Sequence, residues 1–132
     1  MNLGFTMVQF INVAQITEGE VVWKTHPDYL ILQANQFGEV RTKDRWVTYK
    51  DGRKRFVKGR VLKQQLDKDG YLRVCFGTNG KAFYLQVHRI IAVCFLPNPN
   101  NLPQVNHKDC DRTNNIASNL EWCTQEYNTE LS

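Results

Sequence analysis

The sequence lacks the features that mark secreted and membrane proteins. No segment approaches the roughly 18 continuous apolar residues that a membrane span requires. The opening segment, MNLGFTMVQFINVAQIT, has no basic start and no small-residue cleavage site, so it does not resemble a signal peptide. These absences predict a soluble cytoplasmic protein with no membrane partner.

Paired cysteines are missing as well. The chain has four cysteines but no CxxC pair, and they are Cys75, Cys94, Cys110 and Cys123. Without a secretory signal, we expect reduced thiols rather than a disulfide framework. His107 with Cys110 and Cys123, joined by His88 or Cys94, supplies the donor types of a structural zinc site, but not the paired clusters that make such a site rigid. These donors leave open the hypothesis of a non-catalytic DNA-binding protein with a structural zinc.

Positive charge is unevenly distributed along the 132 residues, a length that suits one compact domain or a small domain with an appended module. The formal net charge is +4, yet residues 41–73 hold twelve Lys or Arg against four Asp, a balance of +8. Such a stretch is the footprint expected for a polyanion, because each cation near a phosphate releases condensed counterions. The basic residues alternate with aromatic and β-branched ones, which favours a nucleic-acid surface over a solvated charged face.

Alternating residues around turn dipeptides predict two hairpins. RWVTYKDGRKRFVKGR, residues 45–60, surrounds Asp51-Gly52 and would form a cationic ribbon able to lie along a groove or backbone. GYLRVCFGTNGKAFYLQV, residues 70–87, surrounds Asn79-Gly80 and would form a core sheet. The residues predicted to bind DNA lie in the ribbon and its flanks, and they are Arg41, Arg45, Lys50, Arg53, Lys54, Arg55, Lys58, Arg60 and Lys63.

One helix is expected ahead of the C-terminal segment. HRIIAVCF, residues 88–95, is an apolar run that Pro97 and Pro99 stop, which predicts a short buried helix. The LPNPNNLPQ that follows is expected to be a loop, because proline and asparagine at that density hold neither helix nor strand.

The C-terminal segment is expected to form strand, loop, strand and helix. QVNH is a short strand ending at His107, KDCDRTNNIAS is turn-forming, and NLEWCT resumes strand character. Thr124 can cap a closing helix on which Tyr127 and Leu131 would form the apolar stripe. So short a helix must dock on the strands to be stable. The predicted fold class is α+β, with a small β-rich N-terminal part of hairpins before this C-terminal motif.

Asparagine is frequent in the last segment, NHKDCDRTNNIASNLEWCTQEYN, although it is a poor core and strand residue. Together with HRIIAVCFLPNP, the motifs VNHKD, TNN and NLEW follow in an order and spacing that resemble an HNH endonuclease of the ββα-metal type, in its phage and intron-homing branch. The resemblance covers His88 to Ser132.

A weaker likeness covers VVWKTHPDYLILQANQFGEVRT. This segment is similar to a module often fused to such nucleases and regarded as a DNA-binding adjunct. The matching positions are Trp23, Lys24, Tyr29, Asn35, Gly38, Val40 and Arg41.

The resemblance implies a metal-dependent DNA endonuclease acting in the cytoplasm of a bacterial or phage-infected cell. It would hydrolyse a phosphodiester and leave a 5′ phosphate and a 3′ hydroxyl. His107 would take the proton of the attacking water, since imidazole suits a general base near neutral pH. Asn119 would hydrogen-bond across the loop and orient His107. Asn106 and Asn128 would hold a divalent ion, with Mg²⁺ or Mn²⁺ expected and Zn²⁺ or Ni²⁺ as alternatives.

The implied ligand pair departs from the family pattern, in which the position of Asn106 is often acidic. Two amide oxygens attract a hard cation less than carboxylates do, so free-enzyme metal affinity should be weak, with DNA phosphate completing the site. A degenerate nuclease that binds without cutting is the corresponding alternative. Neighbouring residues on a regular strand face opposite ways, so Asn106 and His107 can serve one phosphate only if the strand twists or ends there.

Other polar and aromatic residues are expected to be structural. Asp109 and Asp111 are predicted to form Asx-type turns rather than to bind metal. His88 is expected to be a helix cap or a packing residue, and Trp23 and Trp122 are expected to anchor the core.

The predicted organisation has three parts: a lead-in at 1–17, a basic β-rich DNA-binding segment at 18–73 and an HNH nuclease domain at 74–132. The ββα-metal motif would occupy about residues 104–132 of the last part. Double-stranded DNA is the expected partner, and the sequence does not distinguish a monomer from a dimer on DNA.

Overall fold

The computed structural model describes residues 20–78 and 80–126, and within them the fold is α+β. The described elements are ten strands, one α-helix and one short 3-10 helix. The strands are β1 (Trp23–Thr25), β2 (Leu32–Asn35), β3 (Val40–Thr42), β4 (Arg45–Thr48), β5 (Lys54–Val57), β6 (Gln65–Leu66), β7 (Leu72–Thr78), β8 (Lys81–Gln86), β9 (Gln104–His107) and β10 (Leu120–Cys123). The helices are α1 (Val87–Phe95) and the 3-10 helix Ala117–Asn119.

All strand pairs in the named sheets are antiparallel. β1, β2 and β3 form one sheet, and β6, β7 and β8 form another. The ribbon of β4 and β5 and the pair of β9 and β10 are two-stranded. Such pairs are marginal alone, so each depends on its connection to the larger sheets or to α1.

Helix α1 lies in the hydrophobic core, as the apolar run predicted. Ile90 and Ile91 are buried, whereas Arg89 and Val93, four residues apart, share the exposed face. The helix stops because the residue before a proline is driven to extended backbone. Leu96, which precedes Pro97, is extended, and its N–H closes the last turn on the carbonyl of Ala92 at 2.9 Å.

The hydrophobic core is shared by both halves of the chain. Leu32 and Val40 from the first sheet pack in the same cluster as Val74 from β7 and Leu120 from β10. The predicted division between residues 73 and 74 falls inside β7, which pairs with β6 on one side and β8 on the other. Strand β7 therefore contains residues from both parts of the predicted organisation.

The two predicted hairpins form, but their turns differ. Thr78 pairs with Lys81, so a two-residue connection joins β7 and β8 as predicted. The ribbon turn was predicted to have two residues, whereas Tyr49 N–H donates to Arg53 O across three intervening residues. Gly52 adopts a φ of +88°, and a three-residue loop with glycine in the left-handed region is the next most common hairpin connection.

The closing helix is described only at its start. Helical backbone begins at Gln125, directly after the predicted cap Thr124. Tyr127, Asn128 and Leu131 lie outside the described residues. The described part of the chain contains no helix with the length and apolar character that crossing a membrane requires.

The tryptophans expected in the core occupy different environments. Trp122 is half-buried against the core, and its indole N–H donates to Leu96 O at 3.0 Å. Trp23 is half-buried in β1, and the guanidinium of Arg41 lies 4.0 Å from its ring centroid. Trp122 is therefore a packing anchor, and Trp23 pairs with a cation.

A tight turn after β2 is held by the side chain of Asn35, which is fully buried. Its Oδ1 accepts the backbone N–H groups of Phe37 and Glu39, each at 3.0 Å, and its Nδ2 donates to Glu39 Oε1 at 2.8 Å. Gly38 completes the turn with a φ of +92°. One neutral amide thus satisfies two backbone donors that no strand ladder reaches.

Replacing Asn35 by alanine should lower the free energy of unfolding by about 2–4 kcal/mol, because buried donors would lose their acceptor. Urea denaturation measures the change. The exposed Asn100 is a matched control, and Asn100→Ala should change stability by less than about 0.5 kcal/mol. Equal losses in the two variants would contradict the role given to the turn.

Candidate active site and nucleic-acid interface

His107 lies at the point where β9 ends. Its backbone pairs with Leu120 of β10, and the chain then turns, with Cys110 N–H donating to His107 O at 3.0 Å and Cys110 at a φ of +65°. The side chain is 5% exposed. β9 therefore ends at His107. A strand end at this residue is one of the two conditions under which Asn106 and His107 can serve the same phosphate.

The His107 ring is held by Asn115. Nε2 of His107 lies 2.7 Å from Asn115 Oδ1, and both residues are buried. An amide oxygen only accepts hydrogen bonds, so with Oδ1 facing the ring this contact selects the tautomer in which Nε2 carries the proton. No hydrogen bond joins Nδ1 to another described residue. The contact with Asn115 thus fixes the orientation of the ring.

Asn119 braces the loop rather than the ring. Its Nδ2 donates to Asp109 Oδ1 at 2.9 Å and to Asn114 O at 2.8 Å, and its Oδ1 accepts the N–H of Asp109. The predicted bond across the loop is present, but the amide in contact with His107 is Asn115. Asn119 acts on the ring only through the loop that carries Asn115.

The two aspartates of the loop form turns, as expected. Asp109 accepts from Asn114 Nδ2 at 2.7 Å, and this bond is the largest of those that lower the pKa of its carboxyl. Asp111 accepts the hydroxyl and the N–H of Thr113, which lower its pKa in the same way. Both carboxylates therefore accept hydrogen bonds from groups within the loop.

Asn106 offers an amide oxygen at the edge of the site. It is 7% exposed, and its Nδ2 donates to Oε2 of Glu121, its partner on β10, at 3.1 Å. No described residue donates to Asn106 Oδ1. An oriented amide oxygen beside a carboxylate suits a hard divalent cation. The second predicted ligand, Asn128, lies outside the described residues.

The structure does not assemble the donors of a zinc site in its described part. No group of three or more His, Cys, Asp or Glu side chains is placed to hold a metal ion there. All four cysteines are free, and burial raises the pKa of Cys94 to about 11 and that of Cys123 in the same direction. A thiol with a raised pKa is a poor zinc ligand, because the ligand is the thiolate.

A second imidazole packs against His107. His88, in the first turn of α1, stacks on Tyr71 with centroids 4.8 Å apart, and its ring centroid is 5.2 Å from that of His107. Burial lowers the pKa of His88 to about 3, with a smaller contribution from His107. His88 is thus a packing residue, and it is neutral at any pH where the protein would act.

The N-terminal half reaches the site through the turn after β2. The carbonyl of Gln36 accepts Ala117 N–H at 2.9 Å, and a Cβ placed on Gly38 would lie 3.0 Å from the carbonyl oxygen of Asn115. Only glycine allows this approach, and Asn115 is the residue that holds His107. Neither Gly38 nor Asn115 had been assigned a part in the site, because no local pattern in the sequence links them.

Most of the cations predicted to bind DNA are exposed. The exposed ones are Lys50, Arg53, Lys54, Arg55, Lys58, Arg60 and Lys63. Arg45 is half-buried. Arg41 donates a hydrogen bond to Gln33, and its guanidinium lies over the Trp23 ring. At the base of the ribbon an open groove of about 610 Å³ is lined by residues that include Arg41, Lys43 and Arg60. The exposed cations and the cations of this groove all lie in residues 41–63, a part of the chain that does not include His107.

Residues 85–130, which contain His107 and its loop, match the family described as HNH endonuclease. The chain contains an HNH endonuclease domain. Residues 22–77 match the NUMOD4 motif, which covers the region that the weaker likeness indicated. The turn that supports Asn115 therefore belongs to the NUMOD4 region, and the residue it supports belongs to the HNH region.

Related HNH endonucleases are found in viruses. One of Acanthamoeba polyphaga mimivirus, itself uncharacterized, is 41% identical over 114 residues, which are 85% of this chain and 34% of that protein. The DNA endonuclease I-HmuI of Bacillus phage SP01 is 42% identical over 72 residues, which are 54% of this chain and 41% of the phage protein.

One solved structure is similar, and it concerns DNA binding and cleavage by the HNH homing endonuclease I-HmuI. The TM-score is 0.63 at 35% identity, and the match covers 83% of this chain and 56% of that chain. The chain spans less than half the length of the two curated relatives and just over half of the solved one.

The Gly38→Ala substitution should disturb the His107 ring, because the new methyl group would press on Asn115. ¹⁵N NMR of the imidazole should show the Nε2–H tautomer for the parent and a shift toward tautomer averaging in the variant. Gly52→Ala is the control, since Gly52 has nearly the same φ, +88°, but nothing within 4 Å. That variant should lose about 1 kcal/mol of stability from backbone strain and keep the parent His107 signals. Unchanged His107 signals in Gly38→Ala would disprove the coupling.

Proposed function

We propose that this protein is a metal-dependent endonuclease that hydrolyses phosphodiester bonds of double-stranded DNA. The observation that carries the proposal is the His107 ring, which lies where β9 ends and is held by Asn115 through the 2.7 Å contact between Nε2 and Oδ1. The HNH relatives support it, because the I-HmuI structure concerns DNA binding and cleavage.

In the proposed reaction His107 acts as the general base. Nδ1 takes the proton of a water whose oxygen bonds to the phosphorus while the bond from phosphorus to the 3′ oxygen breaks. The leaving 3′ oxygen takes a proton from solvent, so the products are a 5′ phosphate and a 3′ hydroxyl. When Nδ1 is protonated, Nε2 still donates to Asn115, so the ring keeps its orientation through the cycle. Asn115 and Asn119 are positioning residues, the first on the ring and the second on the loop.

Asn106 and Asn128 would hold the divalent ion, and the hard oxygen donors favour Mg²⁺ or Mn²⁺ over Zn²⁺ or Ni²⁺. When bound, the ion would supply the positive charge that stabilises the phosphate and the leaving 3′ oxygen. Glu121 orients Asn106 through the 3.1 Å bond to its amide. The carboxylate also brings negative charge to a site whose predicted ligands are neutral.

The basic ribbon would hold the duplex. Its exposed cations would contact phosphates along the backbone, and the groove lined by Lys43 and Arg60 would take a further phosphate. We propose residues 18–73 as the DNA-binding segment and residues 74–132 as the nuclease. The helix that begins at Gln125 would complete a ββα-metal motif with β9 and β10.

His107→Ala should abolish the cutting of supercoiled plasmid, since a general base contributes about 10²- to 10⁴-fold. Gel assays across Mg²⁺, Mn²⁺, Ni²⁺ and EDTA measure it, and filter binding should show nearly unchanged DNA affinity. Ser118→Ala, an exposed change in the same loop, should behave like the parent. Cutting by His107→Ala would refute the assigned base, and a parent that binds but does not cut would indicate a degenerate nuclease.

The ribbon cations should set the salt dependence of DNA binding. Lys54→Ser with Lys58→Ser should weaken binding and reduce the slope of log affinity against log salt by roughly 1 to 2, about 0.9 for each phosphate that the variant no longer neutralises. Lys68→Ser with Lys81→Ser removes the same charge from two exposed lysines elsewhere. An equal slope in both double variants would show that the ribbon is not the DNA-binding surface.

A further inference from the structure

The ribbon carries an exposed aromatic pair. Trp46 on β4 and Phe56 on β5 stand directly opposite each other, with ring centroids 5.4 Å apart and planes at 65°. Trp46 is 68% exposed and Phe56 is 48% exposed. Large apolar side chains on solvent-facing strands usually mark a binding surface rather than a fold requirement.

The pair lies on one face of the ribbon only. Residues two apart on a strand share a face, so Thr48 and Lys54 lie beside Trp46 and Phe56. The opposite face holds Arg45 and Arg55 with the half-buried Val47 and Val57. Both faces thus carry cations, and one also carries rings.

Cations and rings require different chemistry from a partner. Ammonium and guanidinium groups on both faces fit phosphates, which offer nothing to an apolar ring. In a nucleic acid, the bases provide apolar and π surface, through their faces and the thymine methyl. A partner that satisfies both parts of the ribbon has phosphates and bases within the reach of one strand pair.

We propose that Trp46 and Phe56 contact the bases of the bound duplex and act as a wedge at a base step, while the neighbouring lysines and arginines hold the phosphates. This inference rests on the proposed DNA endonuclease function. Aromatic or aliphatic wedges of this kind unstack a step and bend the duplex. The ribbon would then bend the duplex as well as hold it.

Charge argues against the other occupants of this face. A second copy docking ribbon to ribbon would bring the cations of both chains together, with only Asp51 and Asp44 near the ends to offset them. Asp51 is already paired with Arg53 at 2.6 Å. Duplex DNA carries the complementary charge along its whole length.

The base of the ribbon, where the chain enters at Asp44 and leaves at Gly59, is attached to the end of β3. Thr42 N–H donates to Arg60 O at 2.9 Å, and Gly59 N–H donates to Asp44 Oδ1 at 2.7 Å. A Cβ at Gly59 would overlap the carbonyl oxygen of Thr42, so the two chain segments are in close contact. A wedge on this ribbon is therefore attached to the same core that carries His107.

The test replaces the rings and keeps the strands. Trp46→Val with Phe56→Val preserves strand propensity, so the ribbon should remain while the rings are removed. Binding of a short mixed-sequence duplex should weaken about tenfold at every salt concentration, because stacking of a ring on a base is worth that order. The salt slope should not change, since every cation that meets a phosphate is retained. The double variant Trp46→Phe with Phe56→Trp, which keeps both kinds of ring, should retain most of the parent's affinity for the duplex.

Two further readouts report base contact directly. Duplex addition should quench part of the tryptophan emission in the parent, and the Trp46→Phe variant should lose that part. Energy transfer between dyes at the duplex ends should show a bend with the parent and a smaller one with the double valine variant. Leu30→Ala, at a residue that is also 68% exposed, should leave affinity, emission change and bend as in the parent.

The outcomes separate the inference from the proposed function. A parent that does not bind duplex DNA overturns both. A parent that binds and cuts, with parent affinity and bend in the double valine variant, overturns the wedge alone. Loss of self-association in that variant, with DNA binding unchanged, would assign the face to a second copy instead.

Discussion

The hydrogen bond between His107 Nε2 and Asn115 Oδ1 is the interaction on which the site depends. It holds the orientation of the imidazole, and it does so only while the loop after β9 keeps Asn115 in place. That loop is closed on one side by Asn119 and supported on the other by Gly38, which no larger residue could replace without moving Asn115. The orientation of one imidazole thus rests on contacts from both halves of the chain.

The abundance of asparagine follows from what these turns need. A buried loop must satisfy backbone donors and acceptors without bringing in charge, and an amide offers both from one short side chain. Asn35, Asn98 and Asn119 each bond to backbone groups of nearby turns in this way. Asparagine therefore reflects loop architecture at several positions and proposed chemistry at others, notably Asn106.

The chain separates its charge from its core. The basic stretch forms an exposed ribbon and flanks, where cations keep their hydration until a polyanion displaces it. The rings that pack against His107 are those of Tyr71 and His88, and His88 is held uncharged by burial. The exposed cations and the buried imidazole thus lie in different electrostatic environments within one small fold. The turn after β2, in the NUMOD4 region, contacts the loop that carries Asn115.

Local patterns in the sequence were enough to predict the buried helix before Pro97, both hairpins and the end of β9 at His107, because periodicity and turn residues act over a few neighbours. They were not enough to separate Asn115 from Asn119 as the partner of His107, or to show that Gly38 touches the loop. Those contacts join segments far apart in sequence, and packing of both sheets around one helix decides them. The sequence alone determined the two hairpins, the buried helix and the resemblance to HNH endonucleases; the tertiary structure decided which amide holds the His107 ring, since a hydrogen bond depends on distance in space.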